Sequence, residues 1–278
     1  VPAGRPVERL RAPVEGLLAN IDRQMSPWRA DSDLSRFNRA GKGVLRVPRE
    51  TALVAASALD LARASGGVFD PTVGPLVARW GFGPIEGDDH PARNGIVLDG
   101  DTITKRRDGV TLDLCGIAKG YALDRLADLL AEAGETDFLI DLGGELAARG
   151  RHPSGRPWQA GVEDPRPGVS GVAEVLRLDG VAVATSGRRA NGYEIGDRRY
   201  SHIIDPRTRE PVEGGLAAVS VIAADAMTAD GWATALMAAG AQNGAALARA
   251  NDIAALFLVD GGGGLRRVAT GAFGDHLA

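Results

Sequence analysis

A predicted strand meets a predicted helix at Asp113-Leu114-Cys115-Gly116-Ile117-Ala118-Lys119-Gly120-Tyr121. The strand spans residues 110–114, and apolar residues at three- and four-residue steps predict a helix over residues 117–133, which Gly134 ends. Backbone amides at the start of a helix attract phosphate, and Lys119 adds a positive charge beside them. The spacing is not that of a P-loop, and an ordinary strand–helix turn with a surface lysine is the alternative. The segment therefore predicts a candidate anion site.

The elements predicted on either side mix helices with hairpin-linked strands. Upstream, we predict helices over 7–25 and 49–65, a polar loop over 29–42, and strands over 95–98 and 102–105 around an Asp99-Gly100 turn. Downstream, the pattern predicts strands at 138–142, 158–163, 174–178, 181–185, 193–195, 199–204 and 217–223, with a tight turn at Gly196-Asp197. Helices over 228–239 and 242–250 and a hairpin of 254–259 with 265–269 follow. This order predicts an α+β fold with mixed, mostly antiparallel sheets and packed helices, in one domain over residues 1–278 that can divide into two lobes.

Composition and charge limit the classes of function. The 278 residues are 44% hydrophobic and 24% charged, which is ordinary for a folded globular protein. A net charge of −4 provides no wide basic surface, so nucleic acid is not an expected partner. The single cysteine, Cys115, excludes an internal disulfide and a zinc site made of cysteines alone. No apolar run approaches the roughly 20 residues of a membrane-spanning helix.

The helix predicted over residues 228–239 carries a carboxylate and a hydroxyl one turn apart. Asp230 and Thr234 are four residues apart, so both side chains lie on one face of the helix. Hard oxygen ligands of this kind suit Mg²⁺, which keeps several waters and bridges to substrate phosphates. The alternative is an ordinary helix N-cap by Asp225 or Thr228, with Asp230 favoured by the helix dipole.

Three other segments offer groups for binding or proton transfer. His202, in the predicted strand 199–204, is a candidate general base or phosphate contact, and a packed strand histidine is the alternative. Trp28 could stack on a planar ring or pack in the ordinary way. The Gly- and Pro-rich residues 66–74 let the backbone approach a ligand, with Asp70 as an acceptor, and a rigid structural turn is an equal alternative.

In this order, the segments resemble the ApbE family of FAD:protein FMN transferases. The resemblance runs from about Met25 to Val259 and rests on MSPWRADSDLSRFN, GGVFDPTVGPL, DLCGIAKGYALDRL, DLGGE, ATSG, SHIIDPRT and MTADGWATAL. It implies a T-fold-related α+β architecture, FAD as substrate and Mg²⁺ as cofactor. It also implies transfer of FMN to a Thr or Ser hydroxyl of a target protein, with release of AMP. The family's usual targets are membrane redox-pump subunits and related flavoproteins.

The resemblance implies roles for individual residues. The positions that match the FAD site are Trp28, Val68, Phe69, Asp70, Asp113, Lys119, His202 and Ile203. The positions that match the metal site are Gly116, through its carbonyl, Asp230, Ala233 and Thr234. Trp28 falls where the family has an aromatic residue against the isoalloxazine ring. Either His202 or Asp230 is expected to act catalytically by removing the proton of the acceptor hydroxyl.

The chain departs from the family's pattern in three places. Cys115 stands where Gly or Ser is usual, which predicts a redox-sensitive site. A further N-terminal strand, with a Gly-Thr pair and a flavin-contacting Met, is not found before the first helix, so we expect a clipped N-terminus. No leader is visible, although the resemblance predicts a periplasmic or membrane-anchored protein outside the cytoplasm; a cytoplasmic location stays open.

Two other functions are compatible with these residues. An FAD pyrophosphatase would use the same site to give FMN and AMP with water as the acceptor. A non-catalytic FAD-binding protein would hold the dinucleotide without chemistry, and the presence of the metal-type carboxylate Asp230 counts against it.

Overall fold

The structure is a computed structural model, and it describes residues 8–166, 168–188, 192–196, 198–261 and 264–278. Its helices are α1 (Glu8–Met25), α2 (Asp33–Arg39), α3 (Arg49–Ala64), α4 (Gly74–Arg79), α5 (Ala118–Glu132), α6 (Ala226–Ala239) and α7 (Ala241–Ala250). In the part of the chain described, no helix combines the length and apolarity that a membrane crossing requires.

A six-stranded antiparallel sheet forms the centre of the molecule. Its strands, in spatial order, are β15 (Leu265–Thr270), β14 (Ala254–Asp260), β13 (Leu216–Ala223), β8 (Ala182–Gly187), β5 (Glu145–Arg149) and β4 (Phe138–Leu142). A three-stranded antiparallel sheet has the order β1 (Gly43–Arg46), β3 (Thr102–Lys105) and β2 (Ile96–Asp99). Three antiparallel pairs complete the described strands: β6 (Trp158–Glu163) with β7 (Val172–Leu178), β9 (Gly192–Ile195) with β10 (Arg198–Ser201), and β11 (Ile204–Asp205) with β12 (Glu210–Pro211).

The central sheet is buried on both faces. Successive strand side chains point to opposite faces, and along β14 Ala255 and Phe257 join the core beneath α6 while Leu256 and Leu258 join a second core. That second core includes Val162 and other residues of the β6–β7 pair. Helices therefore cover one face of the sheet, and the β6–β7 pair covers the other.

Polar contacts fix α5 against the start of α6. Asp124 on α5 accepts hydrogen bonds from the backbone amides of Ala226 (2.7 Å) and Met227 (2.9 Å). Asp225 caps α6 by accepting from the Thr228 amide at 2.8 Å. The cap predicted as the alternative for this segment therefore exists, and Asp225 supplies it, which leaves Asp230 one turn further along for another contact.

The predicted α+β class is confirmed, and most predicted elements lie within a few residues of the observed ones. Residue 7 of the first predicted helix and Asp197 of the predicted turn lie outside the described residues. The division into one domain or two lobes stays a prediction.

Residues 110–114, predicted as a strand, do not form one. The side-chain amide of Asn38 takes the place of a neighbouring strand: its Oδ1 accepts from the Leu112 amide and its Nδ2 donates to the Leu112 carbonyl, both at 2.8 Å. The Asp113 amide donates to the Pro71 carbonyl at 2.7 Å. These contacts satisfy the backbone of an extended segment without a sheet.

The polar loop predicted over residues 29–42 contains a helix, and the predicted strand 199–204 is shorter than expected. Ser32 caps α2 by accepting from the Ser35 amide at 3.0 Å. Strand β10 ends at Ser201, so His202 and Ile203 lie between β10 and β11 rather than on opposite faces of one strand.

The Gly- and Pro-rich residues 66–74 lead into the short helix α4. Pro75 fits in its first turn, because a residue there has no intrahelical partner for a backbone amide.

Candidate active site

One cavity of about 400 Å³ collects nearly all of the predicted site residues. This volume is within the usual range of small-molecule sites. The predicted residues that line it are Trp28, Val68, Phe69, Asp70, Asp113, Gly116, Lys119, His202, Ile203, Asp230 and Thr234. Ala233 does not line the cavity and is fully buried, so its role as a metal ligand stays a prediction without support from its position.

The turn between Asp113 and α5 is shaped by its own carboxylate and by contact with α6. Asp113 Oδ1 accepts from the Cys115 amide at 2.9 Å, which closes a side-chain turn. A Cβ on Gly116 would lie 3.0 Å from Thr234 Cγ2 and 3.2 Å from Phe69 Cε2. The absence of a side chain at Gly116 therefore lets the turn lie directly against the hydroxyl face of α6.

Asp230 connects α6 to the first turn of α5. Its Oδ2 accepts from the Gly120 amide at 2.8 Å, which is one of the donors that a helix start leaves without an intrahelical partner. Its Oδ1 accepts no hydrogen bond from the described residues, and the side chain lines the cavity. One oxygen is thus structural, and the other is available to a ligand.

The electrostatics of the cavity oppose an ionised Asp230. Burial, followed by the negative charge of Glu145, raises the pKa of Asp230 to about 7, although the Gly120 amide and Lys119 act in the opposite direction. Glu145 is itself buried, and burial raises its pKa. Lys119 Nζ lies 2.5 Å from Glu145 Oε2. Asp113 has its pKa raised by burial as well, so three carboxyl groups with raised pKa values share this cavity with a single described lysine.

In the metal-free protein, the raised pKa of Asp230 makes the free energy of unfolding fall as the pH rises. The unfolded chain releases this proton near the ordinary pKa of 3.8, whereas the folded protein keeps it until about pH 7, so the stabilisation is present below 3.8 and lost across this interval. We expect urea titrations in EDTA to give a steeper loss of unfolding free energy over this range for the wild type than for Asp230→Asn. Equal slopes for the two proteins would contradict the raised pKa.

The carboxylate of Asp70 is occupied by structural contacts. Its Oδ1 accepts from the Thr72 amide (2.9 Å) and the Thr72 hydroxyl (2.6 Å), and its Oδ2 pairs with Arg93 at 3.1 Å. The rigid turn proposed as an alternative for residues 66–74 is therefore present. Asp70 still lines the cavity, and its contact with FAD stays a prediction.

The predicted aromatic residue Trp28 and the predicted histidine His202 both line the cavity. Trp28 is 69% exposed, which leaves its ring available to a planar ligand. His202 directly follows β10, and its ring forms an edge-type contact with Phe82, with centroids 6.4 Å apart.

Several wall residues were assigned no role from the sequence, among them Phe82, Glu145, Thr185 and Ser186. Ser186 Oγ lies 3.3 Å from Thr234 Oγ1 and so extends the hydroxyl face of α6 onto β8. Glu145 ends the DLGGE motif and Ser186 lies in ATSG, so the signal for both was present in the quoted segments. Phe82 had no such signal.

The surroundings of Cys115 differ from those of a redox-sensitive cysteine. Solvent reaches its side chain, which lines the cavity. The surrounding protein desolvates the thiol, and this burial, followed by the negative charge of Asp113, raises its pKa well above the ordinary value. A thiol with a raised pKa holds little thiolate and reacts slowly with oxidants. Redox sensitivity stays a prediction that this environment does not favour.

Comparison with known proteins identifies the family. The ApbE family model matches residues 4–257, which is most of the chain. The chain belongs to the ApbE family. A FAD:protein FMN transferase of Vibrio cholerae is 36% identical over 283 residues, covering 97% of this chain and 85% of that protein. A FAD:protein FMN transferase of Escherichia coli K12 is 31% identical over 271 residues, covering 91% and 77%.

Solved ApbE structures have the same fold. The flavin transferase ApbE of Vibrio cholerae superimposes with a TM-score of 0.88 at 34% identity, covering 100% of this chain and 93% of that one. The apo flavinyl transferase ApbE of Pseudomonas stutzeri also gives 0.88, at 38% identity, covering 99% and 91%. The predicted family is confirmed, and the mixed helices and antiparallel sheets of this chain match the ApbE structures.

Proposed function

We propose that this ApbE-family protein is an Mg²⁺-dependent transferase that moves FMN from FAD onto a Thr or Ser hydroxyl of a target protein and releases AMP. The observation that carries the proposal is the convergence of Asp113, Lys119, Asp230, Thr234 and His202 on one cavity. The names of its relatives, FAD:protein FMN transferase, support the same reaction class.

The donor set fits a divalent cation. Asp230 carries an oxygen that accepts no hydrogen bond from the described residues, and its ionised form is disfavoured by burial and by Glu145, which a nearby cation would offset. Thr234 Oγ1 lies on the same helix face, and the Gly116 turn packs against it. Oxygen ligands of this kind are those that Mg²⁺ prefers. Asp230, Thr234 and the Gly116 carbonyl would hold the ion, which when bound neutralises charge on the diphosphate of FAD.

Lys119 and His202 have the other two proposed roles, phosphate binding and proton acceptance. Lys119, held beside Glu145, supplies a positive charge near the start of α5, where a phosphate group is favoured. Asp230 accepts from the Gly120 amide through one oxygen and would hold the cation through the other, and His202 would accept the proton of the acceptor hydroxyl. The acceptor oxygen bonds to the FMN-side phosphorus as the anhydride P–O bond breaks, and AMP departs with the electron pair.

An acceptor assay tests the proposal and separates it from the two rival functions. The protein is incubated with FAD, Mg²⁺ and peptides from flavoprotein subunits of membrane redox complexes, each with a single Thr or Ser, or with Ala in its place. We expect an added FMN mass on the hydroxyl peptides only, with an equal amount of AMP. Free FMN and AMP at a rate independent of peptide would instead identify a pyrophosphatase. Bound FAD without any AMP would identify a binding protein.

A further inference from the structure

Four aromatic rings form a continuous stack that ends at the wall of the cavity. In order, they are Trp80, Tyr200, Tyr193 and Phe82, with neighbouring centroids 5.8, 5.3 and 5.0 Å apart and ring planes within 26° of parallel. These separations lie within the range of favourable ring pairs. Phe82 then makes an edge-type contact with the His202 ring, and both of these residues line the cavity, whereas Trp80 does not. The stack therefore runs inward from outside the cavity to His202.

The two inner rings belong to a hairpin that needs support from elsewhere. Tyr193 and Tyr200 are directly opposite each other on β9 and β10, which form a sheet of two strands that pairs with no other described strand. A two-stranded hairpin alone is marginally stable in water. Side-chain packing helps to fix its position, and the stack on Trp80 and Phe82 supplies such packing from the segment that follows α4.

Two hydrogen bonds anchor the outer end of the stack. The Tyr193 hydroxyl donates to the Trp80 carbonyl at 3.1 Å, and Trp80 Nε1 donates to the Arg209 carbonyl at 2.9 Å. The second bond reaches the turn between β11 and β12, which follows His202 in the chain. The chain is thus held on both sides of His202 by contacts that converge on Trp80.

We propose that Tyr193 and Tyr200 are positioning residues that set the location of the His202 ring at the cavity wall. The expected effect on FMN transfer rests on the proposed function, in which His202 accepts the proton of the acceptor hydroxyl. His202 follows β10 immediately, so its place depends on where the hairpin lies. Loss of the Tyr193 ring removes the contact between the hairpin and Phe82, and loss of the Tyr200 ring removes the contact between the hairpin and Trp80. A displacement of about 1 Å at a reacting group can lower a rate about 100-fold.

Alanine and phenylalanine variants separate the rings from the hydroxyl groups. We expect Tyr193→Ala and Tyr200→Ala each to lower kcat for FMN transfer at saturating FAD by 10- to 100-fold, with KM for FAD changed less than threefold. Tyr193→Phe and Tyr200→Phe keep the stacked rings, and Tyr193→Phe loses only the hydrogen bond to the Trp80 carbonyl, so both should stay within threefold of the wild-type kcat. Ile195→Ala, an exposed position on the same hairpin, should change neither constant. Wild-type kcat in both alanine variants, or equal losses in the alanine and phenylalanine variants, would overturn the proposal.

A second readout does not depend on transfer. NMR of protein labelled with ¹³C-histidine reports on the His202 ring, and the loss of one signal in His202→Asn assigns it. The nearby Phe82 ring should change the chemical shift of this signal. We expect the alanine variants to move this signal and the phenylalanine and Ile195→Ala variants to leave it unchanged. An unchanged His202 signal in the alanine variants would refute the positioning role, whether or not the wild type transfers FMN. Absence of FMN transfer by the wild type would refute only the proposed function. If the alanine variants do not fold, Tyr193→Leu and Tyr200→Leu, which keep apolar volume without a ring, serve for both measurements.

Discussion

Asp230→Asn is expected to lower the rate of Mg²⁺-dependent FMN transfer by at least about 100- to 1000-fold, the range seen when a charge-stabilising group is removed from an active site. Asparagine has nearly the same shape and can still accept the Gly120 hydrogen bond that holds α5 against α6. The substitution therefore removes the negative charge that would bind the cation while keeping the contact that supports the fold. Mass spectrometry of the acceptor gives the rate.

Asp225→Asn provides the matched control for this variant. Asp225 lies at the start of the same helix, caps it, and is not among the residues that line the cavity. Asparagine caps helices about as well as aspartate, so transfer should continue at the wild-type rate. Mg²⁺ should raise the melting temperature of the wild type and of Asp225→Asn but not of Asp230→Asn. Wild-type transfer and an unchanged Mg²⁺ shift in Asp230→Asn would rule out a metal role for this carboxylate.

The parts of the site that lie within one element could be predicted from the sequence. Asp230 and Thr234 share a face because helix geometry fixes the relation of residues four apart, and the helix itself follows from local pattern. The turn from Asp113 into α5 is equally local. The series of family motifs then indicated that these separate segments belong to one site, which neither periodicity nor composition could indicate.

Contacts between distant segments could not be predicted in this way. The extended residues 110–114 resemble a strand in sequence, yet their partner is the side chain of Asn38, about 70 positions earlier. The strand predicted over 199–204 is divided, because β10 ends at Ser201 while Ile204 belongs to β11, which pairs with β12, a feature of topology rather than of local preference. The helix α2 was missed although its signal was present, with Ser32 as N-cap, Asp33 in the first turn and arginines in the last.

The electrostatic character of the site also depends on the fold. Asp230 looks in sequence like any carboxylate in the first turns of a helix, where the dipole would stabilise its charge. In the structure, burial and Glu145 dominate and raise its pKa to about 7. Glu145 lies on β5, 85 residues before Asp230 in the chain. The repulsion between the Asp230 and Glu145 carboxylates favours a cation in the cavity. It exists only once α5, α6 and β5 have packed together.

Gly120→Ala is expected to lower the free energy of unfolding by about 3 kcal/mol or more, because added volume in a packed interior forces backbone shifts. A Cβ at this position would lie 2.2 Å from the Ala226 carbonyl oxygen and 2.7 Å from Met227 Cα. These are backbone atoms of α6, held in place by Asp124, so no side-chain rotation can relieve the overlap. The higher helix propensity of alanine, worth about 1 kcal/mol, is too small to offset it. Urea unfolding measures the loss.

Gly16→Ala separates this steric effect from the general effect of alanine in a helix. Gly16 lies on α1, where an added Cβ would meet no atom within 4 Å, so the substitution should raise stability by about 0.5–1 kcal/mol. Because Gly120 also donates to Asp230, separation of α5 from α6 should weaken the Mg²⁺-induced rise in melting temperature in Gly120→Ala but not in Gly16→Ala. Wild-type stability in Gly120→Ala would mean that the two helices are not in direct contact here. The close approach at Gly120 is thus expected to be required both for the packing of α5 on α6 and for the placement of the Asp230 carboxylate.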